Sequence, residues 1–473
     1  MSKQEIIRNR IYWICVYVIS CISILVMFLL FLYPDLKSIT AWSFDLLDCV
    51  FRGDLAHYYD WQQLNRFGAN HLTNGGNYLP MFVTAIWDLP GYLFYRGSGS
   101  TGALTAKYYF WQKLFYLVLI LVVAYTVFKL VAETIDVESK KEYKKTITFL
   151  MLSSPAIVFS CFYFGQDEII YVTALLIAIW AYIKEKNKTF WIMSVISVML
   201  CPITLLPILY LLVLREKRIY ILLVQLLVLN LPSIVFELLY RNVVFYTEHK
   251  TSMLSWISGM LSSASIGLQF GNVSLVGIAF TIMFFYVYFK KTVDYTKEEI
   301  IYGMALLMCL LGFGTVQIWY RFLIATPFLI MLVMIQKENR NLNLFLLFLV
   351  AVCRGLQIIS DNMVLNPQYL MQNGLSMKIA NVLTCGGFMW KESLHNALNY
   401  GERSFDSVYP LLGCVCYGVL GILFWINRPR AKKVYQFEIP EKVSLAGMAL
   451  INFAILLAFF LIGGPGWKWV ISV

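Results

Sequence analysis

The stretch Ile11–Tyr33, IYWICVYVISCISILVMFLLFLY, decides the fold class. It carries no charge, glycine or proline, and about 20 such residues of helix cross a ~30 Å hydrocarbon core. It is too long for a cleaved signal peptide, and no small-residue cleavage site follows Tyr33-Pro34. Outward from it the same signal recurs at 107–131, 146–164, 169–183, 219–239, 266–290, 299–316, 322–336, 342–359, 408–427 and 444–462. The apolar region between Lys188 and Arg215 is broken by Pro202 and Pro207, and both its ends are basic. It reads as a hairpin of two half-helices with both ends on one side, a form tolerated where protein or a cavity covers the freed backbone. The expectation is an all-α polytopic transmembrane helix bundle, about 11 full helices plus the Pro-broken hairpin. It forms a single integral membrane domain over 1–473, with helical outer loops.

Composition agrees. Hydrophobic residues make up 60% of the 473 and charged residues 14%, against about 25% charge in a soluble domain. Mean hydropathy is +0.69. Roughly two-thirds of the 38 Lys and Arg fall on the face that holds the N-terminus, in short clusters such as Lys140–Lys145, Lys184–Lys188, Arg215–Arg218 and Arg428–Lys433. The net charge of +11 is thereby explained by the positive-inside rule. It implies an inner (plasma) membrane protein with a cytoplasmic N-terminus and an outer C-terminus, and no nucleic-acid partner. Cytoplasmic loops are too short for a nucleotide-binding domain, and neither a Walker nor a dinucleotide motif is present. No inverted repeat of hydropathy recurs, which argues against many transporter folds. The ten Cys show no metal-ligand spacing; Cys49 and Cys385 fall on outer loops where they could pair.

The outer loops 34–106 and 360–407 are long, so the chemistry is expected on the non-cytoplasmic face. In the first, Asp45 and Asp48 stand at i and i+3 among Trp42, Phe44, Leu46, Leu47, Val50 and Phe51. Both carboxylates then share one face of a surface helix, and a carboxylate in a partly dry cleft suits proton abstraction from a hydroxyl. Asp54 and Asp60 read as solvated, and Asp54, His57 and Asp60 form a weak metal-like triple. From Tyr78 to Tyr95 an apolar segment interrupted by Asp88 and Pro90 reads as an interfacial helix too broken to span. Gly165-Gln166-Asp167-Glu168 is a tight polar turn suited to positioning hydroxyls or phosphate, or simply to turning the chain. Gln317-Ile318-Trp319-Tyr320-Arg321 is either an interfacial aromatic belt or a guanidinium placed for a lipid phosphate. Arg52, Arg66, Arg241 and Arg354 are further outer cations without a distinguishing context.

These features together resemble the GT-C fold membrane glycosyltransferases that use polyprenyl-phosphate sugars, bacterial mannosyltransferases in particular. The resemblance rests on Phe44-Asp45-Leu46-Leu47-Asp48 early in the first outer loop and Tyr78-Leu79-Pro80 before a surface helix. It rests also on Gly165-Gln166 followed by the hairpin from Cys201-Pro202 to Arg218, and on Gln317-Ile318-Trp319-Tyr320 running to Pro327. Cys201 departs from the pattern, since many relatives place a basic residue there. The resemblance implies inverting hexosyl transfer from a polyprenyl-phosphate sugar to a glycan or lipid-linked acceptor in the cell envelope. Asp45 or Asp48 would be general base; Tyr78, Gln166, Asp167, Glu168, Gln317, Tyr320 and Arg321 would line the substrate cleft. No cofactor is implied, and a divalent metal is not required. A polymerase or ligase of lipid-linked glycans and a lipid or glycan transporter are the alternatives.

Overall fold

The computed structural model describes residues 3–69, 78–136, 139–243, 258–259, 265–268, 271–290, 295–313, 319–360, 408–429 and 434–462. Gln317, Cys385 and residues 361–407 therefore lie outside the described residues, as do the side chains of Tyr78 and Tyr320. The described chain is helical apart from one antiparallel hairpin, β1 (Ser265–Leu268) with β2 (Gly271–Ser274). Among the described residues, five helices are long and apolar enough to cross a membrane: α1 (Lys3–Leu30, apolar from Arg10), α5 (Ala106–Thr134), α11 (Ile219–Tyr240), α15 (Arg340–Ser360) and α17 (Glu441–Ile462). A sixth candidate joins α6 (Lys140–Ser153) to α7 (Pro155–Val158) and the π-helical turn after it, through a 60° bend. The remaining apolar helices are shorter, at 10–17 residues: α8 (Glu168–Ile183), α9 (Asn187–Leu200), Pro202–Arg215 with α10 (Leu205–Arg215), α12 (Leu275–Phe289), α14 (Thr326–Ile335) and the Leu411–Ile426 part of α16 (Val408–Ile426); between α12 and α14, α13 (Lys297–Phe313) opens on Lys297, Glu298 and Glu299.

The chain forms two compact units. The first comprises Met1–Tyr33, Lys141–Phe164 and Leu332–Val473. Its helices α1, α6, α15 and α17 all begin at one end. There Arg340 pairs with Glu441 at 2.8 Å and lies over Tyr143, Tyr12 donates to the Lys442 carbonyl at 2.5 Å, and Tyr17 to that of Lys145 at 2.9 Å. Small residues let α15 and α17 approach closely: a Cβ on Gly447 would stand 2.5 Å from the Phe348 ring. The bend at Pro155 has a backbone cost, because Pro155 has no N–H and Ile157 N–H turns to Ser154. Asn452 of α17 donates to the Ser153 carbonyl at 2.8 Å and so satisfies the break. Asn343 and Asn427 exchange two amide bonds at 2.8 and 2.9 Å. Arg354, expected as an outer cation, is buried in α15 because that helix continues to Ser360; it donates to Gln357 at 2.8 Å.

The second unit comprises Pro34–Lys140 and Gly165–Met331. Here Arg215 donates to Asn187 at 2.8 Å, so α9 and α10 return to one end, with the break at Cys201-Pro202. Pro207 causes no break, since it stands in the first turn of α10, where few backbone N–H groups have intrahelical partners. The same end gathers Lys184 on Glu133 at 2.5 Å, Lys297 on the Glu133 carbonyl, and Lys217 on the Val287 carbonyl at 2.7 Å. Exposed Leu, Val and Ile dominate α11, which has the length and composition to cross a membrane. Next to these lie α2 (Pro34–Arg52), α3 (Tyr58–Gln63) and α4 (Tyr78–Gly97), which carry the candidate site.

Candidate functional site

Helix α2 positions both acids. Asp35 in its first turn and Arg52 in its last suit the helix dipole. From Ser38 to Cys49 every side chain is buried, α2 packing against α4 and α5. Phe44 fixes its rotation, sitting edge-on to Phe67, Tyr92, Tyr95 and Tyr108 with ring centroids 5.4 to 5.9 Å away.

That rotation aims Asp45 and Asp48 at one guanidinium. Arg66 donates through Nη1 to Asp48 Oδ2 at 2.6 Å and through Nη2 to Asp45 Oδ1 at 3.3 Å. Asp48 also takes Arg52 Nε on Oδ2 at 2.9 Å and the Tyr92 hydroxyl on Oδ1 at 2.8 Å. Trp61 backs both arginines, its ring 4.2 Å from Arg66 and 5.0 Å from Arg52. The indole N–H of Trp61 is held by Asp54 at 2.9 Å, and Asp54 in turn by His57 at 2.5 Å. The Asp54 oxygens thus serve an orienting network, and among the described residues no group of three His, Cys, Asp or Glu side chains could hold a metal.

The two carboxylates differ in proton affinity. Burial pushes Asp45, only 1% exposed, up to about 7, and Arg66 opposes only part of that. For Asp48 burial acts in the same sense, but hydrogen bonds from Arg66 and Tyr92 and the charges of Arg66 and Arg52 outweigh it. Its carboxyl is held below the ordinary value. Asp48, not Asp45, lines an open pocket of about 600 Å³, together with Arg52, Arg66, Tyr92, Arg96 and the loop Gly99–Gly102.

A third acid, Asp88, anchors the scaffold. It accepts from Ser43 at 2.7 Å, and with the Gln112 amide turned so that its nitrogen meets Asp88 the two lie 3.1 and 3.2 Å apart. Burial raises it to about 8 against the Ser43 bond, so it stays mostly protonated at neutral pH. The expected interruption of α4 at Asp88 and Pro90 does not occur: the helix is continuous from Tyr78 to Gly97. Tertiary contacts compensate for the proline. Trp87 and Trp111 stack at 4.9 Å, and each indole donates to the other's backbone carbonyl, at 3.0 and 2.9 Å.

The polar turn lies at the other end of α2. Gly165 has φ +68°, and a Cβ there would stand 2.5 Å from Leu36 Cβ, so only glycine fits. Its carbonyl accepts from Tyr116 at 2.9 Å. Gln166 donates to Asp35 at 2.7 Å, Asp167 precedes α8, and Arg321 approaches Glu168 at 3.6 Å. The rise from Asp35 to Asp45 is about 15 Å, so the two acidic motifs form two clusters. Arg66, Tyr92 and Arg96 were not singled out by sequence reasoning; Arg66 stood among the outer cations. The signal for α4 was present in Asp88, an acid inside an apolar segment. No protein-family model, curated protein or solved structure matches the chain.

Proposed function

We propose that this chain is a membrane glycosyltransferase that moves a sugar from a polyprenyl-phosphate donor to an acceptor hydroxyl with inversion. The observation that carries the reading is the open, arginine-lined pocket with Asp48 on its wall and Asp45 behind it on the same Arg66 guanidinium. A lipid phosphate needs cations where its charge develops, and Arg52 and Arg66 supply planar donors for it. A general base works best with its pKa near the operating pH. Asp45 meets that condition, while Asp48 is ionised with both oxygens engaged. In the proposed step the acceptor oxygen attacks the anomeric carbon. The bond from that carbon to the phosphate oxygen breaks, its electron pair stays on the phosphate, and the acceptor proton passes to Asp45. Asp48 anchors the arginines. Donor phosphate would share Arg66 with Asp45, drawing the guanidinium off the base as the substrate seats.

In this reading the fold is GT-C-like with about 11 spans, and the pocket faces outward in the inner membrane with the N-terminus cytoplasmic. Gln166, Asp167, Glu168 and Arg321 would contact the acceptor away from the reacting carbon, with Tyr78, Gln317 and Tyr320 as further cleft residues. One observation favours a lipid or glycan transporter instead: Arg354 is buried inside a candidate span, a placement common along substrate pathways. Labelled polyprenyl-phosphate sugars offered to the purified protein with acceptor extract separate the two. Transfer that disappears in Asp45→Asn, with donor binding retained, supports the transferase. Donor movement across liposomes without transfer would overturn it.

A further inference from the structure

We propose that Arg96 and the loop Gly99–Gly102 form a second oxyanion subsite in the same pocket. The ligand would then present two phosphate-type groups rather than one. Arg52 and Arg66 are already partly neutralised by Asp48 and Asp45. Arg96 is different: among the described residues no carboxylate pairs with it, and its guanidinium lies 5.9 Å from the Phe51 ring centroid, beside the pocket it lines. It stands one helical turn beyond Tyr92, whose hydroxyl is on Asp48, a rise of about 6 Å along α4.

The loop that follows α4 supplies neutral donors. The backbone N–H groups of Ser100, Thr101 and Gly102 have no acceptor among the described residues. Gly99 and Gly102 take φ +65° and +98°, and a Cβ on either would meet nothing within 4 Å, leaving their backbone open to close approach. Successive N–H groups around left-handed residues form concavities that suit anions. The loop is held in shape: Tyr95 donates to the Gly102 carbonyl at 2.7 Å, and Ser98 to the Tyr95 carbonyl at 2.8 Å. Cation, backbone donors and hydroxyls thus line one pocket with the arginines of the first subsite.

The identity of the ligand rests on the transferase reading; anion binding itself does not. The second group has two sources, the outer phosphate of a diphosphate-linked donor or an anionic group on the acceptor. The test titrates the full chain in detergent with inorganic phosphate and with pyrophosphate by calorimetry, for wild type, Arg96→Gln and Arg96→Lys. Pyrophosphate should bind roughly tenfold tighter than phosphate, Arg96→Gln should remove that preference, and Arg96→Lys should keep part of it. Equal binding of the two anions, no binding of either, or a uniform weakening by Arg96→Gln would overturn the subsite.

Transfer kinetics then distinguish the sources. A raised KM in Arg96→Gln for diphosphate-linked but not monophosphate-linked donors assigns the donor; a raised KM for phosphorylated but not neutral acceptors assigns the acceptor. Pyrophosphate preference without transfer from any donor would leave the subsite standing and remove the transferase reading. Transfer with unchanged pyrophosphate binding in Arg96→Gln would do the reverse.

Discussion

Replacing Arg66 by Gln should destabilise the protein, and more so at pH 8 than at pH 5. Among the described residues, Arg66 is the one side chain that ion-pairs with both Asp45 and Asp48, at 3.3 and 2.6 Å, and it is 25% exposed. Breaking a fully buried pair costs about 3–5 kcal/mol. Partial exposure and the remaining Arg52 contact reduce this to about 2–3 kcal/mol at pH 8. The pH dependence follows from the two acids. Because the folded chain holds the Asp45 proton up to about 7, the stability from this group is full below the unfolded carboxyl range and is lost as pH rises to about 7. Without Arg66 the folded value moves higher, so the loss continues past pH 7. Asp48 contributes in the opposite sense, stabilising above the unfolded value, and that gain shrinks when Arg66 is removed. Both changes make the substitution cost more at high pH. Near pH 5, with Asp45 protonated, the deficit should fall to about 1 kcal/mol. Arg52→Gln is the control: its side chain is 49% exposed, and such pairs contribute under about 1 kcal/mol. Thermal unfolding in detergent followed by circular dichroism at pH 5 and pH 8 reads this. A pH-independent deficit, or one no larger than that of Arg52→Gln, would refute the shared-guanidinium account.

Three further outcomes are expected. With Asp45 as base, kcat/KM for transfer should fall about tenfold per pH unit below about 7; a profile flat from pH 5 to 8 would move the role to Asp48. Gly165→Ala should lower thermal stability by more than about 1 kcal/mol, because a positive φ and the Leu36 contact both exclude a side chain; wild-type melting would contradict that. Asn452→Leu should cost about 1–2 kcal/mol by leaving the Ser153 carbonyl unsatisfied at the Pro155 bend. An unchanged unfolding curve would show that the break finds another donor.

The sequence by itself determined the helical apolar character and the grouping of ends. Runs such as Ile11–Tyr33 have the length and composition to cross a membrane, and the basic clusters at Lys184, Arg215 and Lys297 do meet at one end of their unit. It also placed Asp45 and Asp48 on one helical face, because a 3.6-residue period is a local property. The hairpin was legible for the same reason: Pro202 breaks a helix wherever it stands in an interior. What the sequence could not decide was which partner each polar group finds. Helix length is one case: the helix expected over 266–290 begins only at Leu275, after the β1–β2 hairpin, and the one expected over 322–336 only at Thr326. Continuity through Pro90 is another, decided by a Trp87–Trp111 clamp across 24 positions of sequence. The electrostatics of the site are the third. Two aspartates three residues apart have the same intrinsic chemistry, and only the fold gives one of them Arg66, Arg52 and Tyr92 while leaving the other dry with a single guanidinium. Hydropathy and periodicity are sums over neighbours in the chain, whereas proton affinity depends on charges and burial brought together from far apart in it.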